Sequence, residues 1–297
     1  MKRKTTVLIL GVTGMLGSTL FRVLSKDQSL HVYGTARSKT NNLFSKSVCK
    51  NILTLKNIED NPSIRAIFHK IKPDVVINCI GLIKQIDEAN QIMKAVPINS
   101  VLPHRLALLT KEIGAHLILI STDCVFSGKK GGYKETDRAD CTDLYGQSKF
   151  LGEITEEKHV LTIRTSIIGH ELRGGHSLVN WFLKQKSSVA GYCNAIYSGL
   201  PTVELANIIR DKILTNTKKL TGLYQIASKP ITKYDLLHLI AKKYKKSIRI
   251  SKANNPKIDR SLSYSKFKKQ TNYQPKSWEQ LIDEMHADYL QSKLSVR

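Results

Sequence analysis

No stretch of the sequence approaches the roughly 20 consecutive apolar residues needed to cross a bilayer, so no membrane span is expected. Cysteine is sparse: Cys49, Cys79, Cys124, Cys141 and Cys193 stand far apart, odd in number and without a CxxC pair. That spacing speaks against a disulfide framework and against a zinc site, and it fits a reducing cytosol. Acidic side chains are also scarce, 24 against 47 Lys and Arg, for a net charge of +23. A surplus of this size can mark nucleic acid, an acidic membrane surface or anionic substrates as partners. The basic residues are scattered from end to end, with no arginine-rich arm and no RNA-binding aromatic motif. A lysine-rich solvated surface is the plainer explanation, and neither nucleic acid nor membrane is expected as a partner.

What is present is a globular composition, 41% hydrophobic over 297 residues, enough for one large domain and a smaller lobe. Met1-Lys2-Arg3-Lys4 and the apolar run behind it superficially resemble a secretion signal. The run gives way at once to a glycine-rich turn with no cleavage site, and therefore reads as a first strand. Apolar segments suited to buried parallel strands fall at 6–10, 31–35, 75–80, 116–121 and 160–164. They alternate with helical spacing at 15–24, 64–71, 100–113 and 145–158, so the expectation is an α/β fold with a Rossmann-like, doubly wound parallel sheet. Beyond about 170 the rhythm breaks. A domain over 1–170 with return segments at about 195–227 is expected, and 171–194 with 228–297 would form a smaller, discontinuous lobe.

Between the first strand and first helix stands Gly11-Val12-Thr13-Gly14-Met15-Leu16-Gly17. Glycines here permit a tight turn, close approach of a pyrophosphate and close helix–sheet packing, while the helix N-terminus offers free N–H groups to the anion. The strand-turn-helix context points to a dinucleotide. At the end of the second strand Thr35-Ala36-Arg37-Ser38 offers no carboxylate for a ribose 2′-hydroxyl, but Arg37 suits a 2′-phosphate. NADP(H) is the expected cofactor, with NAD(H) left open.

Tyr145-Gly146-Gln147-Ser148-Lys149 places a phenol and an ammonium four residues apart, on one face of a helix. A nearby ammonium favours the phenolate and so is expected to bring the Tyr145 pKa toward a useful range. Upstream, Ser121-Thr122-Asp123-Cys124-Val125-Phe126 puts a hydroxyl at a strand's carboxyl end, where ligands bind in such sheets.

With these residues in place, the chain resembles the extended short-chain dehydrogenase/reductase family and its nucleotide-sugar 4-ketoreductases, dTDP-4-dehydrorhamnose reductase among them. The resemblance runs through the glycine-rich turn, Ile77–Gly81, Ile98-Asn99-Ser100 and the 121–128 segment. It continues through Arg164-Thr165-Ser166, Gly199-Leu200-Pro201-Thr202 and Gly222-Leu223-Tyr224. It implies that Thr122 bonds the substrate carbonyl oxygen, that Tyr145 protonates it and that Lys149 lowers the Tyr145 pKa and holds the nicotinamide ribose. The cofactor set it implies is Gly11, Thr13, Gly14, Met15, Leu16, Gly17, Arg37, Asn51, Ile52, Cys79, Ile80, Gly81 and Asn99, together with Tyr145 and Lys149. Lys84, Asp123, Asn194 and Arg260 are the substrate-side candidates, and no metal is expected.

The sequence departs from the rhamnose-pathway pattern at Asn51, at 82–85, at Cys124 and at Ile167-Ile168. These differences imply a related 4-keto-6-deoxy sugar, such as an N-acetylated UDP-sugar for surface polysaccharide. The expected function is NADPH-dependent reduction of the 4-keto group of a nucleotide-activated sugar in the cytoplasm, with a homodimer left open. The alternatives are an epimerase or dehydratase of the same family, or a non-catalytic NADP-binding regulatory subunit of this fold.

Overall fold

The computed structural model describes residues 3–40, 43–85, 87–172 and 174–294. Its centre is a parallel sheet. β1 (Thr5–Leu10), β2 (Leu30–Ala36), β3 (Ile52–Thr54), β4 (Val75–Asn78), β5 (His116–Thr122) and β6 (Val160–Thr165) are joined by a late strand, Gly222–Gln225. Across the sheet the order is Gly222–Gln225, β6, β5, β4, β1, β2, β3, every pairing parallel. The reversal between β1 and β4 opens the crevice in which such sheets bind ligands.

Apolar runs form these strands because both faces are covered. Val7 and Ile9 pack with Leu20 and Phe21 of the helix Met15–Leu24 (α1), whereas Leu8 and Leu10 join Phe68, Leu106 and Leu117 on the other face. This two-sided burial explains why β1 reads as a continuous apolar run and not an alternating one.

Three boundaries differ from the sequence pattern. The helix that carries Tyr145 spans Leu144–Leu151 and does not reach 158. It closes at Gly152, whose N–H donates to the Lys149 carbonyl at 3.2 Å, and the turn sends Glu153 into a buried ion pair. The helix expected from 100 begins earlier, with a wide turn over Val96–Val101 running into Leu102–Glu112. Ala195–Tyr197, expected within the returning segment, pairs instead with Ile231–Thr232 and Ile258–Asp259 in a separate small sheet.

The chain does return to the main sheet after that. Thr202–Ile208 is a helix packed on α1, with Thr19 Oγ1 donating to Thr202 Oγ1 at 3.2 Å, and Gly222–Gln225 adds the edge strand beside β6. The last helix, Trp278–Leu294, is tied to α1 by a bidentate Arg22–Asp288 pair at 2.5 and 2.8 Å.

Candidate active site

The glycine-rich turn lies at the carboxyl end of β1. Gly11 adopts φ +85°, a left-handed conformation that favours glycine. A Cβ on Gly17 would stand 2.2 Å from the Gly11 carbonyl oxygen, so only glycine lets α1 close on the turn. Gly14 precedes α1 without a side-chain cap, and no acidic residue occupies the first turn. The helix therefore presents uncapped N–H groups and a positive dipole end at the crevice. Cys79 and Ile80 stand beside this turn, since a Cβ on Gly11 would meet Ile80 Cγ1 at 2.7 Å. Burial pushes the Cys79 thiol up to about 12, against the pull of Lys149, so it is a neutral wall.

Thr122 ends β5, 7% exposed. Its Oγ1 accepts from Cys124 N at 3.1 Å and donates to Asp123 Oδ1 at 3.1 Å, which fixes the hydroxyl. Asp143 caps the next helix by accepting from Gly146 N at 3.0 Å, and so sets the first turn that carries Tyr145. One turn on, Lys149 Nζ donates to the Ile120 carbonyl of β5 at 2.7 Å. An ammonium carries three donors, so this anchor leaves two N–H groups for the crevice. It also stands 3.8 Å from where a Gly81 Cβ would be, which places it beside the segment after β4.

Electrostatics correct one expectation. Burial pushes the Tyr145 phenol well above its ordinary value; Cys124, Asp123 and Asp143 add to the rise, and the Thr122 hydroxyl opposes it. The lowering expected from Lys149 is not among the effects on the phenol: its ammonium donates to the Ile120 carbonyl and is itself pushed down to about 8 by burial, against the pull of Glu153. Tyr145 is thus held as a neutral phenol, the form that can give a proton.

The other expected residues sort by what their side chains do. Arg37 is exposed just beyond β2 and makes no ion pair with another described residue. Thr13 and Gly14 are exposed on the turn and Met15 is half-buried, but the Leu16 side chain is in the core, 5% exposed, leaving only its backbone for a ligand. Ile52 packs against the core beside β2. The Asn51 amide donates to the Val32 carbonyl at 3.2 Å. Asn99, 1% exposed and beside Gly81, accepts from Leu82 N at 2.9 Å and donates to Ser148 Oγ at 3.1 Å. Its work is to lock the segment after β4 onto the Tyr145 helix.

On the substrate side, Lys84 pairs with Asp143 at 2.9 Å. Asp123 is 8% exposed and pushed up by burial, with Arg260 and Lys233 pulling it back. Arg260 Nε donates to the Phe126 carbonyl at 2.7 Å. Asn194 is spent in the lobe, donating to the Asn254 carbonyl at 2.9 Å, and has no bond to Thr122, Tyr145 or Lys149 among the described residues. His170 stands apart from these groups, bonded to Tyr244 and stacked on Tyr289.

Two groups were not visible in the sequence pattern. Glu153 Oε1 accepts from Ser121 Oγ at 2.6 Å and from Arg164 Nε at 2.8 Å, and Arg164 Nη2 reaches Oε2 at 2.7 Å. Both side chains of this pair are 4% exposed, directly behind Lys149 and Thr122. Arg164 could have been suspected from a charge at the end of an apolar strand; its partner could not. The second group, Tyr197 and Lys233, comes from the small sheet and gives no local signal. No cluster of His, Cys, Asp or Glu that could hold a metal occurs among the described residues.

Residues 5–291 match the family described as the RmlD substrate binding domain. The chain belongs to that family. The resemblance to nucleotide-sugar 4-ketoreductases seen in the motifs is therefore a family relationship. Spore coat polysaccharide biosynthesis protein SpsK of Bacillus subtilis (strain 168) is 33% identical over 186 residues, 61% of this chain and 58% of that protein. Methionine adenosyltransferase 2 subunit beta of Xenopus laevis is 32% identical over 146 residues, 49% of this chain and 41% of its own. The matched stretch thus spans about half of each of these relatives. A dTDP-4-dehydrorhamnose reductase from Bacillus anthracis str. Ames, solved in complex with NADP, superposes with a TM-score of 0.79 at 20% identity. That match covers 96% of this chain and 99% of the other, and at this identity it speaks to the RmlD-type fold.

The residues present fit a dinucleotide. An uncapped helix start, a turn that excludes side chains and an ammonium with two free donors face the same crevice.

Proposed function

We propose that the chain reduces the 4-keto group of a nucleotide-activated 6-deoxy sugar with NADPH, in the assembly of a surface polysaccharide. One observation carries the reading: the Thr122 hydroxyl, the neutral Tyr145 phenol and the Lys149 ammonium converge at the end of β5 beside a glycine-rich dinucleotide turn. SpsK, whose printed name assigns it to spore coat polysaccharide biosynthesis, supports the process, and the NADP-bound reductase supports the cofactor.

Gly11, Gly14, Gly17 and the α1 N-terminus would hold the pyrophosphate, Arg37 the 2′-phosphate, and Lys149 the nicotinamide ribose. When bound, the reduced nicotinamide supplies a hydride to the sugar carbonyl carbon. Thr122 bonds the carbonyl oxygen and orients it. Tyr145 then gives its phenolic proton to that oxygen as negative charge develops there, yielding a secondary alcohol. Lys149, cationic below its pKa of about 8, keeps two N–H groups for the ribose hydroxyls.

An epimerase or dehydratase would need an acid–base group beside Thr122 in addition to Asp123, as in an Asp-Glu pair after the threonine. Cys124 occupies that neighbourhood, and burial pushes its thiol up to about 12, which suits it to packing and not to proton transfer. A regulatory reading has its own support in the relationship to methionine adenosyltransferase 2 subunit beta. The two separate in one assay: cofactor oxidation with NADPH and with NADH across 4-keto dTDP-, UDP- and GDP-sugars. The reductase reading expects turnover with at least one of them and faster turnover with NADPH. Cofactor binding without turnover on any of them would favour the regulatory subunit.

A further inference from the structure

Lys233 occupies an odd place for a lysine. It is the first residue of the helix Lys233–Lys243, where the positive end of the helix dipole disfavours a cation. Thr232 and Asp235 satisfy the usual needs of that helix start, with Asp235 N donating to Thr232 Oγ1 at 3.0 Å. The Lys233 side chain does not turn outward to solvent. Its ammonium lies 4.2 Å from the centre of the Tyr197 ring, half-buried, and makes no hydrogen bond or ion pair with any other described residue.

The small sheet explains how it arrives there. Ile231–Thr232 and Ile258–Asp259 flank Ala195–Tyr197, and these outer strands lead into Lys233 and Arg260. Both cations act on Asp123, the residue bonded to the Thr122 hydroxyl, yet Lys233 does not close onto that carboxylate as an ion pair. Arg260 is already committed to the Phe126 carbonyl. An ammonium with no acceptor among the described residues thus acts on a carboxylate that already accepts from the Thr122 and Cys124 side chains, beside the reacting position. A hydroxyl between them could accept from the ammonium and donate to the carboxylate, completing both.

We infer that Asp123 and Lys233 form a donor–acceptor pair that reads the hydroxyl on the carbon next to the reduced carbonyl, the 3-hydroxyl of a 4-keto sugar. The inference rests on the nucleotide-sugar reading of the same site. Tyr197 forms the floor of this subsite, its ring giving the ammonium a surface to lie on. Lys233 is then a specificity residue contributed by the lobe, while Thr122, Tyr145 and Lys149 come from the main sheet.

Calorimetric titration of the NADPH-loaded protein tests this, using dTDP-glucose and dTDP-3-deoxyglucose against dTDP, and UDP-N-acetylglucosamine against UDP. The wild type should hold at least one of the two 3-hydroxyl sugars more tightly than its bare nucleoside diphosphate. Lys233→Met should lose about tenfold or more of that gain while its Kd for dTDP and UDP stays within about twofold. The 3-deoxy sugar should bind the wild type as weakly as the intact sugar binds the variant, which gives a readout independent of the variant's folding. Lys233→Met binding the intact sugar as well as the wild type does would overturn the assignment of Lys233. So would an equal loss for the bare diphosphates, which would place the ammonium on phosphate. A wild type that binds neither sugar more tightly than its diphosphate would instead bring down the nucleotide-sugar reading, and this inference with it.

Discussion

Tyr145 and Lys149 divide the proton chemistry between them, and each makes a separable prediction. Tyr145 is kept protonated by burial and by the acidic groups around it. Tyr145→Phe should lower kcat by at least about a thousandfold, within the range for losing a general acid, while the Kd for NADPH measured by fluorescence titration changes less than about threefold. Lys149 titrates lower in the folded chain, about 8 against an ordinary 10.5. Between those values the unfolded chain binds more protons, so folding stability contributed by this group rises with pH. Relative to Lys149→Met, the wild type should gain about 2–3 kcal/mol between pH 7 and pH 11, read from urea unfolding of both proteins. A difference that stays flat over that range would place the Lys149 ammonium in a water-like setting.

At the scale of elements, the site depends on a turn and on a buried pair. Gly17→Ala sets a Cβ 2.2 Å from the Gly11 carbonyl oxygen, a backbone atom that can move only if α1 lifts off the turn. The cost should be about 1–3 kcal/mol in stability, with NADPH affinity falling at least about tenfold in the same titration. Arg164→Met would strand the Glu153 carboxylate behind Lys149, 4% exposed, and should lower unfolding stability by about 3–5 kcal/mol in urea. Adding Glu153→Gln should recover part of that loss, because the stranded charge is removed. How legible each element was follows from its physics. β1, β4 and β5 are covered on both faces, so they stand out as apolar runs, and the glycines of the turn mark a packing need no other residue meets. The three-residue β3 and the two-residue strands of the lobe are too short to show any period. The early end of the Tyr145 helix at Leu151 had one local mark, Gly152 at its C-terminus, whereas the buried Glu153–Arg164 contact just beyond it left none. For the same reason Asn99 and Asn194 looked available in the sequence, whereas the fold has already spent their amides on backbone and side-chain partners. Lys233 was hidden in the opposite sense, since its place at the site depends on a strand pairing between segments some 35 residues apart.

On the scale of the whole molecule, two segments of different origin meet over one sheet edge. The parallel sheet carries the turn for a dinucleotide and the Thr122, Tyr145 and Lys149 group, and the small sheet brings Tyr197, with Lys233 and Arg260 after its outer strands, to the same edge. The charge of +23 exceeds what this crevice employs and is spread over the surface, so it does not choose between the functional readings. What separates a reductase from a subunit that only holds its cofactor is whether hydrogen moves to the sugar. The measurement is transfer from NADPH deuterated at C4 of the nicotinamide, run with a 4-keto nucleotide sugar and read by mass spectrometry and NMR of the product. The account predicts one deuterium on carbon 4 of the sugar with the wild type and none with Tyr145→Phe. Recovery of the unreduced keto sugar from a wild-type protein that has NADPH bound would contradict it.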